Sequence, residues 1–266
     1  MSGAAVLCIH SFAGSSRQYR GLAQRLAPRF VVLARDLYGH GDAAPWHGKR
    51  PFSLADEAAP FEALLPQESP VHLVAHSYGA AVALRIAAAH RSRVRSMVLY
   101  EPAIWGTLAA LCPGEPATLE IEAVRDETVD LLDRGALERA AERFIDYWAG
   151  TGAWGATPSE RRPRLIAAMR SLRDGWLASF AERWRAADLR SFELPCLLLT
   201  GSRSTAAARR ALQLLREHLP CAEVTEFENL GHLGPITNPE RVDHAVEAFL
   251  SRRSQPWPQS RRSLTV

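Results

Sequence analysis

The sequence predicts an α/β fold in which about six parallel strands form one sheet with helices on both faces. Short apolar runs alternate with segments of helical spacing over residues 1–102, and the same alternation returns over residues 193–253. This alternation requires crossover connections and therefore a parallel sheet. Residues 103–192 break the rhythm, because they contain helical patterns and no convincing strand. We therefore predict one α/β core with a helical cap inserted after Tyr100.

Each predicted strand is a short apolar run that ends at a loop of small or polar residues. The predicted strands are residues 4–9, 30–34, 71–74, 94–100, 196–200 and 222–227. Apolar spacing and capping residues mark the helices between them. Ser53, with Asp56 three residues later, forms a capping box, and Asn238 with Pro239 begins the closing helix. The helical patterns of the insertion cover residues 116–132, 137–148, 158–172 and 174–184.

Composition and charge exclude several classes of protein. The 266 residues are 47% hydrophobic and 23% charged, and no apolar run is long enough to predict a transmembrane helix. The net charge of +3 rests on arginines scattered over the predicted helices, which favours a solvated surface over a nucleic-acid-binding face. The first predicted strand begins at residue 4, so we expect no signal peptide and a cytoplasmic protein. Residues 254–266, rich in Ser, Arg and Pro, are expected to be disordered.

The four cysteines lack the spacing of a metal site or a disulfide framework. Cys8 and Cys196 lie within predicted strands, and Cys112 and Cys221 lie beside prolines. We therefore expect free thiols and neither a metal nor a cofactor. The sequence leaves the oligomeric state open.

The most informative stretch is residues 73–84, which read LVAHSYGAAVAL. An apolar strand here runs into a helical segment of small residues, so that Ser77 stands at a sharp turn between them. Such a turn exposes the serine hydroxyl at the carboxyl end of the strand and requires small residues two positions before and after it. Ala75 and Gly79 meet this requirement. On this motif alone, an ordinary turn with a capping serine is an equal alternative.

Three further motifs follow other predicted strands. In chain order the four motifs are HSFAGSS at 10–16, DLYGHG at 36–41, AHSYG at 75–79 and NLGHLGP at 229–235. With them, the chain resembles the α/β-hydrolase-fold family over essentially residues 4–252. That family usually begins with an antiparallel hairpin. Since the first strand begins at residue 4, we expect the hairpin to be missing and residues 30–34 to form one edge of the sheet.

The resemblance implies acyl transfer through a serine nucleophile. Ser77 would be the nucleophile, and His232, in the loop after the last strand, would be its base. His76 is adjacent to Ser77, and since consecutive strand residues face opposite ways, we do not expect it to be the base. The backbone amides of Phe12 and Tyr78 would form the oxyanion hole.

A catalytic histidine also needs a carboxylate on its second ring nitrogen. The family most often places this acid in the loop after the strand at 196–200, but residues 201–205 read GSRST and contain none. Some relatives place it one strand earlier, where Glu101 follows Tyr100 here. We favour Glu101 as the acid. The alternatives are that Glu101 only caps its strand or pairs with a cap arginine, and that Asp36, beyond the second strand, is the acid.

The cap is rich in aromatic residues, most of which we expect to form its own core. They are Phe144, Tyr147, Trp148, Trp154, Trp176, Phe180 and Trp184. Trp105, where the chain leaves the sheet, is the residue we expect to line the substrate pocket. A mainly apolar pocket implies a small hydrophobic ester, thioester, lactone or activated ketone. A non-catalytic ligand-binding protein and a cofactor-independent oxygenase or perhydrolase stay open as alternatives, since fold does not fix function.

Overall fold

The structure, a computed structural model, describes residues 4–27, 29–48, 51–67 and 69–253. Within these residues, six strands form one wholly parallel sheet in the order β2-β1-β3-β4-β5-β6. The strands are β1 (Ala4–Ile9), β2 (Phe30–Ala34), β3 (Val71–His76), β4 (Val94–Tyr100), β5 (Cys196–Gly201) and β6 (Ala222–Phe227). The predicted parallel sheet, with β2 at one edge, is confirmed. The tail expected to be disordered lies outside the described residues.

Helices cover both faces of this sheet. They are α1 (Arg20–Leu26), α2 (Leu54–Glu62), α3 (Tyr78–Ala89), α4 (Trp105–Leu111), α5 (Pro116–Asp133), α6 (Leu137–Ala149), α7 (Ala153–Ala156), α8 (Arg162–Ala181), α9 (Ala186–Arg190), α10 (Ala206–His218), α11 (Gly234–Thr237) and α12 (Pro239–Ser251). Helices α1 and α12 bury Leu22 and Phe249 in the apolar cluster on one face. Helices α2, α3 and α10 pack on the other face. The capping box at the start of α2 forms as predicted from Ser53 and Asp56.

Residues 103–192 contain helices α4 to α9 and no strand. Their buried side chains belong to the same apolar cluster as those of α2 and α3, so the segment packs on the core. Helix α8 is one continuous helix where two were expected, because Gly175 does not interrupt it. A Cβ at Gly175 would lie 2.8 Å from Cε2 of Phe12, so this glycine permits close contact between α8 and the loop after β1.

No helix among the described residues is both long and apolar enough to cross a membrane.

The topology gathers the loops that carry the sequence motifs. All strands are parallel, so their carboxyl ends lie at the same edge of the sheet. Ser77 follows β3, Glu101 follows the neighbouring β4, and His232 lies in the loop after β6. The sheet therefore brings three distant parts of the chain to one edge.

Candidate active site

Ser77 occupies a strained turn between β3 and α3. Its φ of 55° and ψ of −118° lie in a region that residues other than glycine rarely adopt, at a cost of about 1–3 kcal/mol. The turn is fixed on both sides, because the Ser77 amide donates to Tyr100 O at 2.9 Å and the Ala103 amide donates to Ser77 O at 3.1 Å. A Cβ at Gly79 would overlap the carbonyl oxygens of the loop after β1. The predicted small residue after Ser77 is therefore a steric requirement.

Ser77, His232 and Glu101 form one buried chain of hydrogen bonds. The Ser77 hydroxyl lies 2.9 Å from Nε2 of His232, and Nδ1 of His232 lies 2.7 Å from Oε2 of Glu101. All three side chains are at most 6% exposed. A carboxylate only accepts hydrogen bonds, so Nδ1 carries the ring proton and Nε2 accepts the proton of Ser77.

The second carboxylate oxygen of Glu101 accepts hydrogen bonds from residues 200–204, where the family's usual acid is missing. Its Oε1 accepts hydrogen bonds from the Thr200 hydroxyl at 2.8 Å, from the Gly201 amide at 3.0 Å and from the Ser204 hydroxyl. Burial opposes ionisation of Glu101, but the hydrogen bonds from His232, Ser204 and Gly201 outweigh it and lower its pKa. The end of β5 and the loop after it thus supply donors to a carboxylate that follows β4.

The rival acid Asp36 has a different role. Its carboxylate accepts the backbone amides of Ser16 at 2.6 Å and Asp42 at 2.9 Å, and so joins the loops after β1 and β2. In Glu101, by contrast, one carboxylate oxygen contacts His232 and the other accepts hydrogen bonds from Thr200 and Gly201. Among the described residues, Glu101 therefore forms no ion pair with a cap arginine and does more than cap its strand.

The loop of His232 is anchored by side chains from neighbouring strands. The Tyr100 hydroxyl donates to Gly231 O at 2.7 Å, and Nε2 of His76 lies 2.9 Å from His232 O. Burial lowers the pKa of His76 well below its usual value, so the ring is neutral. In that state Nε2 donates to His232 O, and Nδ1 accepts from Gln18 at 3.3 Å. As expected from strand alternation, His76 does not contact Ser77 as a base.

An aromatic side chain of the helical segment lies over the imidazole. The ring centroids of Trp148 and His232 are 4.0 Å apart, and the planes are tilted by 30°. Trp105 stacks on Trp148 at 5.9 Å. We expected Trp148 to be cap core, and no signal in the sequence separated it from the other cap aromatics. Whether Trp105 lines the substrate pocket stays a prediction.

The two amides expected in the oxyanion hole lie on adjoining elements. Tyr78 is the first residue of α3, so its N–H has no partner within the helix. Phe12 lies in the turn after β1, and its ring contacts the Tyr78 ring with a centroid distance of 5.8 Å. Neither amide donates a hydrogen bond to another of the described residues. That these two amides form the oxyanion hole stays a prediction.

Comparison with known proteins places this arrangement in a family. Residues 6–245 match the model of the alpha/beta hydrolase family. A lipase of Mycobacterium tuberculosis, LipV, is 38% identical over 103 residues, which span 38% of each chain. The pimeloyl-[acyl-carrier protein] methyl ester esterase of Chromobacterium violaceum is 28% identical over 95% of this chain and 96% of its own.

Solved structures agree on the fold. A hydrolase from Oleispira antarctica superposes with a TM-score of 0.76 at 19% identity, covering 94% of this chain and 93% of its own. The predicted hydrolase fold and the assignment to hydrolase enzymes are confirmed. From the family match over most of its length and the agreement in fold, the chain belongs to the alpha/beta hydrolase family.

Proposed function

We propose that this protein is a serine-dependent esterase that hydrolyses a small, mainly hydrophobic carboxylic ester through an acyl-enzyme on Ser77. The observation that carries the proposal is the buried hydrogen-bond chain from Ser77 through His232 to Glu101. A serine hydroxyl becomes an effective nucleophile when an oriented base takes its proton. The relatives named esterase and lipase support an ester as the substrate class over a thioester, lactone or ketone.

Acylation begins when Ser77 Oγ attacks the ester carbonyl carbon and its proton passes to Nε2 of His232. Nδ1 of the resulting imidazolium keeps its hydrogen bond to Glu101, whose lowered pKa keeps the carboxylate ionised beside it. When the tetrahedral intermediate collapses, the alkoxide leaves with the proton from Nε2. Water then attacks the acyl-enzyme by the same proton transfer and releases the acid.

The oxyanion of each tetrahedral intermediate would be bound by the amides of Phe12 and Tyr78. Both donors belong to backbone, so they need no rearrangement during the reaction. The Tyr78 amide also stands at the amino end of α3, where the helix dipole favours negative charge.

The helical segment from 103 to 192 would serve as the lid over the site and select the substrate. Support comes from Trp148, which brings this segment against the ring of His232. Phe144 of the same helix also contacts Phe12, with ring centroids 5.9 Å apart. The aromatic rings near His232 and Phe12 suit a small hydrophobic acyl or alkyl group. The cytoplasmic location expected from the sequence stays a prediction.

Replacement of the nucleophile tests the proposal. Ser77→Ala should reduce hydrolysis of p-nitrophenyl butyrate to the background rate, a loss of about a millionfold in serine enzymes of this kind. The matched control is Ser191→Ala, since the exposed Ser191 hydroxyl bonds only to Asp188 O in the described part of the chain and should leave turnover intact. Undiminished hydrolysis by Ser77→Ala would refute the acyl-enzyme mechanism.

A further inference from the structure

A cavity of about 110 Å³ lies between α2, α8 and the loops after β1 and β2. Four aromatic side chains and two carboxylic acids contribute to its lining, and they are Phe12, Tyr38, Trp46, Phe52, Glu57 and Asp174. The acid residues are unexpected in a pocket with this many aromatic walls.

Glu57 is a buried carboxylic acid on the inner face of α2. Only 3% of the residue is exposed, and it lies between Leu54 and Phe61 of the apolar core. Its Oε1 accepts the Tyr38 amide at 3.0 Å, and its Oε2 is 3.5 Å from the Tyr78 hydroxyl. Desolvation raises the pKa of Glu57 to about 7, more than these hydrogen bonds lower it.

No cation among the described residues forms an ion pair with this carboxylate. The guanidinium of Arg35, which acts on it electrostatically from a distance, donates instead to Pro60 O at 3.1 Å. Arg170 also lines the cavity, but its side chain is exposed and it makes no ion pair with Glu57 or Asp174 in the described part of the chain. A buried carboxylate without a cation is costly, and a ligand cation would remove that cost.

The cavity adjoins the proposed reaction centre. Tyr78, whose hydroxyl faces Glu57, is the residue next to Ser77. Phe12, one of the aromatic walls, carries the other proposed oxyanion amide. A group bound in the cavity would therefore be part of the same molecule whose carbonyl is attacked at Ser77.

We propose that this cavity binds a cationic group of the substrate, an organic ammonium joined to the ester that Ser77 attacks. Aromatic faces attract an ammonium ion through their quadrupoles, and Asp174 supplies an opposite charge. A cation bound beside Glu57 would also favour the ionised form of that acid. The proposal rests on the proposed esterase function, because it names the substrate class of that same site.

The test separates charge from shape by comparing acetylcholine with 3,3-dimethylbutyl acetate, its neutral analogue of the same shape. Binding is measured by calorimetry with Ser77→Ala, which cannot turn the esters over. We expect the cation to bind about tenfold more tightly, the effect of one desolvated cation–π contact with an opposing charge. Equal affinities for the two esters would overturn the proposal.

A second pair of variants tests whether the preference for the cation arises in the cavity. In the Ser77→Ala background, Glu57→Gln keeps the size of the side chain and should weaken the preference for the cation, because the aromatic walls and Asp174 remain. Glu62→Gln, at a partly exposed position at the end of the same helix, should keep it. An undiminished preference in Glu57→Gln would contradict the assignment, and circular dichroism verifies that both variants are folded.

Hydrolysis of the two esters by the wild-type protein is measured in a separate experiment. If the wild type hydrolyses neither ester and no p-nitrophenyl butyrate while Ser77→Ala still prefers the cation, the esterase proposal fails and the cation site stands. If it hydrolyses both esters and shows no preference in binding, the cation site fails and the esterase proposal stands.

Discussion

Glu101→Gln isolates the contribution of the acid, because the amide has the size of the carboxylate and lacks its charge. In the wild type, Oε1 accepts three donors from the end of β5 and the following loop, and Oε2 accepts from Nδ1 of His232. A glutamine has one acceptor oxygen, and the three donors of Thr200, Gly201 and Ser204 would hold it in the place of Oε1. The amide NH₂ then faces His232 and donates to Nδ1.

That donation reverses the tautomer of His232. The ring proton moves to Nε2, which then cannot accept the proton of Ser77. Loss of the correct tautomer and of the charge beside the imidazolium costs about ten-thousandfold in kcat, or about 5 kcal/mol of transition-state stabilisation. The effect on folding is smaller, about 1–3 kcal/mol for one altered buried hydrogen bond to a charged group.

The assay is kcat for p-nitrophenyl butyrate at pH 7.5, with a thermal melt to verify that the variant is folded. Asp36→Asn is the control for the rival acid. We expect its kcat to fall by less than about tenfold, since the Asp36 carboxylate bonds to the amides of Ser16 and Asp42 and not to His232. Ser204→Asp in the Glu101→Gln background should restore part of the lost turnover, because Ser204 already reaches the position of the acid. Near-normal turnover by a folded Glu101→Gln would refute the assignment of the acid.

Trp105→Ala should change the relative rates across a series of p-nitrophenyl esters of rising acyl length, since Trp105 stacks on Trp148, which lies over His232. Rate ratios equal to those of the wild type would contradict this role. Acid should destabilise the fold, because burial lowers the pKa of His10, His40 and His72 to about 4 from 6.5. Between pH 6.5 and 4 the unfolded state therefore binds more protons than the folded state, and the free energy of unfolding falls as the pH falls, by about 3 kcal/mol for each histidine. The raised pKa of Glu57 acts in the opposite direction and offsets part of this loss. Urea unfolding at pH 7, 6, 5 and 4 measures the change, and a free energy of unfolding that stays constant between pH 6.5 and 4.5 would contradict it.

Much of the fold was predictable because the number of strands and their parallel direction follow from the alternation of local patterns, whereas the edge position of β2 came from the family resemblance. Apolar runs separated by helical segments required a parallel sheet, and the sheet places every strand end at one edge. That rule, together with the family resemblance, explains why Glu101 could be preferred as the acid. The loop after β5 has no acid, and Glu101, which follows β4, instead contacts Nδ1 of His232.

The contacts made by the helical segment were not predictable. Nothing in the sequence distinguishes Trp148 from the other aromatics of its segment, because its contact with His232 depends on how α6 packs over the sheet edge. Likewise, the sequence predicted two helices, 158–172 and 174–184, whereas the structure has the single helix α8, in which Gly175 packs against Phe12. The burial of Glu57 was not predicted either, because a charged residue on a helix normally faces solvent.

The central claim is that Ser77 is a nucleophile activated by His232. Incubation with a fluorophosphonate probe, followed by digestion and mass spectrometry, tests it without knowledge of the natural substrate. We predict that the wild type is labelled on Ser77, and that Ser77→Ala is not labelled. An unlabelled wild type, or equal labelling of the folded Ser77→Ala variant, would contradict the account.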